Sequence, residues 1–182
     1  MRDTAREPEE VIVRPYEWEP SMVPSAEFMQ QVYDLRGLGA CLYVKGRYEE
    51  AFPYLQAAAR KGFKLAQARL AFLYQQGLGT ERDPYAAIGW YAVAATGTTL
   101  PEIRNGFRKI WRRIPDEHRP AVSTLVDEYK DKFGASRHRV ECDLSDRAGT
   151  YLKTLTCRFR DEGILVDHGR MVYSLSREWF LD

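Results

Sequence analysis

Two apolar stripes of identical spacing constrain this chain more than any other feature. Ala51, Tyr54, Leu55, Ala58 and Ala59 follow an i, i+3, i+4, i+7, i+8 pattern, and Ala87, Trp90, Tyr91, Ala94 and Ala95 repeat it. That pattern marks a helix packed along one face. Each stripe is preceded by a second matched set, Gly39, Leu42, Tyr43 and Gly46 before the first, Leu70, Leu73, Tyr74 and Gly77 before the second. Gly39 and Leu70 lie 31 positions apart, whereas Ala51 and Ala87 lie 36 apart, so the five extra residues fall in the turn between paired helices. An alanine-rich bundle has no reason to repeat both stripes in register, whereas stacked helix hairpins of this period do. Small residues at Ala58, Ala59, Ala94 and Ala95 permit close helix approach, and Tyr54, Trp90 and Tyr91 fill the space between hairpins. Gly77 and Gly79 suit a positive-φ turn, and Asp83 before Pro84 suits a helix start.

The second copy resembles a Sel1-like repeat, a relative of the tetratricopeptide family. The likeness runs from Ala66-Gln67-Ala68 through Leu70, Leu73-Tyr74 and Gly77-Leu78-Gly79 to Asp83, Ala87, Trp90-Tyr91 and Ala94-Ala95. Ala71 stands where the family usually has Gly, and Gly97 comes one residue early. The first copy, residues 35–62, lacks the Gly-x-Gly turn and is closer to a plain tetratricopeptide unit. Together the copies span about a third of the chain. The resemblance implies a mainly α fold, a right-handed α-solenoid of about three helix hairpins. It also implies a non-enzymatic adaptor that binds a protein or peptide in a concave groove. Positions on the first helix of each hairpin, Arg36, Tyr43, Arg69, Phe72 and Gln76, are expected to line that groove. A groove built from so few units suits a short peptide, or a homo-oligomer that extends it.

The rest of the chain divides around the repeats. Residues 1–24 hold four of the nine prolines and five glutamates, which disfavours a helix and reads as an extended arm with one β-like stretch, Val11-Ile12-Val13. Residues 25–134 carry the helices. Ser25 is a plausible cap for the first, with Phe28, Val32 and Leu35 inward. A third, divergent pair follows. Ile103, Phe107, Ile110, Trp111 and Ile114 form one stripe, Pro115 breaks it, and Val122, Leu125, Val126, Tyr129 and Phe133 answer it before Gly134. Loss of the repeat signature there suits a terminal cap. Residues 135–182 change character. Arg139–Cys142, Tyr151–Cys157, Ile164-Leu165-Val166 and Met171–Leu175 are β-prone, predicting a small appendage of two to four strands, with Trp179-Phe180-Leu181 packing back on it.

Of the three cysteines, Cys41 falls in a predicted helix and is expected in the core as a small hydrophobe. Cys142 and Cys157 flank the turn-prone Arg147-Ala148-Gly149, and a hairpin folded there would place them within reach of a disulfide. Two free thiols, or a zinc set with His138 and His168, are the alternatives, the latter without any common finger spacing. The metal or redox module centred on Cys142 and Cys157 is accordingly the rival reading of the chain. The stretch from Cys142 through Gly149-Thr150 to Cys157-Arg158 is similar to a cysteine-pair motif of small exported bacterial proteins. That resemblance implies a periplasmic or cell-envelope location, with the signal peptide outside this chain. Met1 leads directly into Arg2, Asp3 and Thr4 with no apolar core, so a cytoplasmic protein is the alternative.

No catalytic set, cofactor motif or metal motif emerges. There is no P-loop, dinucleotide-binding glycine pattern or nucleophile elbow. His118 reads as a solvated helix start, His168 lies in a turn, and His138 sits between Arg137 and Arg139, which should depress its pKa by like charge. Glu49-Glu50 reads as a solvated helix start. Arg104, Arg108 and Arg112, with Lys109 and Arg113, form a basic face, but no aromatics interleave with them and the net charge is only +1, which disfavours nucleic acid. No apolar run reaches the ~20 residues of a membrane span.

Overall fold

The computed structural model describes residues 23–146 and 152–162. Within them run six helices and two strands: α1 (Ala26–Val44), α2 (Tyr48–Arg60), α3 (Lys64–Gln76), α4 (Pro84–Ala94), α5 (Pro101–Trp111), α6 (Arg119–Phe133), β1 (Val140–Asp146) and β2 (Lys153–Phe159). Short 3-10 turns, Asp116–His118 and Ala135–His138, precede and follow α6.

The helix ends follow the local chemistry. Ser25 Oγ accepts from the Phe28 N–H at the start of α1. Gly77 stops α3 at φ 70°, and the Asp83 carboxylate accepts from the Tyr85 and Ala86 N–H groups at 2.9 Å to start α4 behind Pro84. The three-residue turn 45–47 joins α1 to α2, and residues 77–83 join α3 to α4, which is where the longer spacing of the second repeat resides. That longer turn is not loose. Gly79 has φ 66°, and a Cβ there would stand 2.4 Å from the Tyr48 carbonyl carbon and 2.5 Å from the Glu49 nitrogen. The second turn thus abuts the first turn of α2, and only glycine fits.

α1 packs on α2, α2 on α3, and α3 on α4, as successive hairpins of a solenoid require. Ala51, Leu55, Ala58, Ala59, Leu70, Ala71 and Leu73 are fully buried between them. Gln67, also fully buried, donates to the carbonyls of Ala59 (3.0 Å) and Phe133 (2.9 Å), tying α3 to the ends of α2 and α6. The last pair departs from the pattern. α5 and α6 each pack chiefly on α4 rather than on each other. Their stripes meet in a small second core of Ile88, Ala92, Val122 and Val126, with Phe107, Ile110, Trp111, Ile114 and Leu125 around it. Trp90 reaches across to Tyr129 and Phe133. Gly134 ends α6 by turning to extended backbone, and since a Cβ there would stand 2.6 Å from the Lys130 carbonyl oxygen, glycine suits the position.

β1 and β2 form one antiparallel pair in which Cys142 faces Cys157 and Val140 faces Phe159. The expected segments Val11-Ile12-Val13, Ile164-Leu165-Val166, Met171–Leu175 and Trp179-Phe180-Leu181 lie outside the described residues, as do Arg147-Ala148-Gly149 and His168. The hairpin lies against the first repeat. Phe159, 2% exposed, has ring centroids of Phe63, Tyr33 and Phe28 at 5.5, 5.7 and 6.1 Å. Its N–H donates to the Tyr33 hydroxyl at 2.9 Å, and that hydroxyl donates to Glu162 at 3.1 Å. At the foot of the hairpin Arg139 donates through Nε and Nη2 to both oxygens of buried Asp161.

Cys41 corrects the expectation of a core thiol. It is exposed, because the buried line of α1 runs through Met29, Val32, Gly39 and Leu42. One residue from Leu42 is a rotation of about 100° around the helix, which turns Cys41 to solvent beside exposed Leu38 and Val44.

Candidate functional site

α1 and α3, the first helices of the two repeats, carry the residues expected to line a groove. Three of them are brought together. Tyr43 stands edge-on to Phe72 with centroids 6.3 Å apart and edge-on to Tyr48 at 5.5 Å. The Arg69 guanidinium lies 5.3 Å over the Tyr43 ring. All four side chains are half-buried, and Gln76, the last residue of α3, is exposed. Burial raises the Tyr43 phenol, with Tyr48 adding and Arg69 opposing, and burial raises Tyr91, with Tyr43 adding. Tyr91 also closes against α5, where a Cβ on Gly106 would stand 3.5 Å from its ring. Burial pulls the Arg69 guanidinium down, with Tyr43 opposing. The arrangement is an aromatic wall around a partly desolvated cation. It presents donors and ring faces but no nucleophile or acid–base pair.

Arg36 sits elsewhere. Its guanidinium lies 5.0 Å from both the Tyr33 and Phe63 centroids, and Nη1 donates to the Cys157 carbonyl at 2.9 Å. It holds the β-hairpin. Tyr48 joins the wall without any signal in the sequence spacing.

Cys142 and Cys157 form a disulfide. Both thiols of the zinc set with His138 and His168 are thereby used, so that set does not form. No group of three or more His, Cys, Asp or Glu among the described residues is placed to hold a metal. The His138 shift is downward, as like charge suggested, but burial is its first cause and Lys61 and Arg137 add less. Its Nε2 lies 2.8 Å from the Lys132 carbonyl oxygen. His118 is exposed beside Glu117. Glu49 and Glu50 are exposed, with Glu50 paired to Arg47. Arg104, Arg108, Lys109, Arg112 and Arg113 are exposed along α5 and the turn after it. No helix among the described residues is long and apolar enough to cross a membrane.

No protein-family model matches the chain. Chitin synthase regulatory factor 3 of Schizosaccharomyces pombe is 35% identical over 69 residues, covering 38% of this chain and 6% of that protein. Among solved structures, the fold matches a protective antigen present in uropathogenic Escherichia coli strains displaying an SLR fold. The TM-score is 0.51 with 19% identity, over 68% of this chain and 30% of that one. The chain therefore spans a small part of the curated relative and under a third of the solved chain. At 19% identity the structural match speaks to fold alone: the helices take up the Sel1-like repeat architecture.

Proposed function

We propose that this protein is a non-enzymatic interaction scaffold whose repeats bind an extended segment of a protein partner along the inner helices. The observation that carries this reading is the wall of Tyr43, Phe72 and Arg69, assembled from two successive repeats and left half-exposed. An array that buries alanines between its helices yet leaves large rings at the surface of α1 and α3 has the composition of a recognition surface. The partial match to a protein named as a regulatory factor is compatible with that role. The disulfide supports a periplasmic or cell-envelope location, since such bonds persist in oxidising compartments. Residues 1–24, 25–134 and 135–182 serve in this reading as arm, binding array and C-terminal module.

The test is selection from a random dodecapeptide phage library on the purified chain, followed by anisotropy with the labelled winners. Phe72→Ala combined with Gln76→Ala, verified as helical by circular dichroism, should weaken binding at least about tenfold. Unchanged binding would remove this face from consideration. Location is tested by the intact mass of the natural protein before and after reduction. Three alkylatable thiols without reduction would contradict the exported reading.

A further inference from the structure

Among the described residues, two arginines are packed on aromatic rings, and they differ in what occupies them. Arg36, between Tyr33 and Phe63, is engaged: an extended segment, β2, lies against it and the Cys157 carbonyl accepts from Nη1, while burial pulls its guanidinium down, with Tyr33 and then Glu162 opposing. Arg69 has the same kind of aromatic seat, over Tyr43 with Phe72 alongside, but no carboxylate or carbonyl partner among the described residues. A guanidinium over a ring still has its edge donors free, and a partly buried cation without an opposite charge is costly.

α3 contains Lys64 and Arg69 and no acidic residue. Buried Lys64 places its amine on the Thr96 carbonyl, and Arg104 of α5 lies near enough to oppose its charge while donating to the Gly97 carbonyl at 3.0 Å. By contrast, Arg47, next to Tyr48, and Arg119, Lys130, Arg139, Lys153 and Arg160 have carboxylate partners.

We infer that Arg69 is the recognition point for an acidic, extended peptide segment of the partner, its guanidinium taking an Asp or Glu carboxylate while Tyr43, Phe72 and Tyr91 pack the stem of the same segment. β2 on Arg36 is an intramolecular case of an extended segment on a ring-seated arginine, held there through a backbone carbonyl.

This inference rests on the groove reading above, and the same selection separates the two. Peptides from the random dodecapeptide library that depend on Phe72 and Gln76 should be enriched in Asp and Glu. Replacing those residues by Gln or Asn in labelled synthetic copies should weaken binding to the wild-type chain about tenfold, the size of a charge-assisted hydrogen bond. Arg69→Gln should weaken the acidic peptide by a similar factor and leave the amide copy unchanged. Arg69→Lys should fall between, and rising salt should narrow the difference. If the peptides depend on Phe72 and Gln76 but bind equally well as amides, the groove stands and the acidic specificity falls. If no selected peptide depends on Phe72 and Gln76, both fall. Should Arg69→Gln fail to fold, the acid-to-amide comparison on the wild-type chain decides alone.

Discussion

The stacked helices and the docked β-hairpin reach stability by different routes. Within the repeats, Leu55, Ala58, Leu70 and Ala94 meet partners on the same or the next helix, through apolar contact over short stretches of chain. The hairpin is fixed by contacts that cross the molecule. The Phe159 N–H meets a hydroxyl 126 residues away, the Cys157 carbonyl meets an arginine 121 away, and one disulfide closes the strands on themselves. Apolar burial in the repeats is spread over many small increments. In the hairpin it is carried by Val140, Leu155, Cys157 and Phe159, the last ringed by three aromatic side chains, with polar links around them.

The hairpin should therefore fail at single points where the repeats do not. Phe159→Ala removes the ring shared by Phe28, Tyr33 and Phe63 and should cost about 4 kcal/mol. Amide exchange should accelerate in β1 and β2 before it does in α3 and α4. Equal acceleration everywhere would mean that hairpin and repeats unfold as one unit, and the contrast drawn here would be wrong.

Replacing Cys142 and Cys157 together by Ala releases a 15-residue separation and should cost about 3 kcal/mol, measured by denaturant unfolding. The helical circular dichroism of the undenatured chain should not change.

The smallest effects should appear at opposite ends of the pH range, with stability rising with pH in both. Arg139 holds the Asp161 carboxyl below its ordinary 3.8, so this pair contributes stability at pH values above 3.8 and loses it as pH falls through the lower native value. Burial first, and the Arg104 cation second, bring the Lys64 amine from 10.5 to about 8. Between about 8 and 10.5 the unfolded chain keeps a proton that the native chain has released, so stability rises with pH across that window. Asp161→Asn should remove its share of the acid loss and cost about 2 kcal/mol at neutral pH. Lys64→Met should flatten the alkaline rise. An unchanged pH profile in either variant would show that its group does not couple to folding.

This division also explains what could be read in advance. The alanine stripes, the Asp83–Pro84 start and Gly77 are local signals, and the helices they predict are present. The facing of Cys142 and Cys157 was legible because alternation and a turn lie in one short segment. Where the hairpin goes was not legible, because Tyr33 and Arg36 look like any half-buried helix residues until Phe159 and Cys157 are set against them. The same limit applied to the candidate site. The resemblance suggested Arg36, Tyr43, Arg69, Phe72 and Gln76 as one group, while the separation of Arg36 from Tyr43, Arg69 and Phe72 depends on a strand more than a hundred residues later. Cys41 shows a finer limit, since a helix pattern that is right about Leu42 can still misplace its neighbour.

The turn at Gly79 has one practical consequence. Surface turns are ordinarily where a chain accepts inserted residues, but this one is wedged against the backbone of Tyr48 and Glu49. Any attempt to lengthen the array or graft a tag should therefore copy residues 77–83 intact as a joint and cut elsewhere.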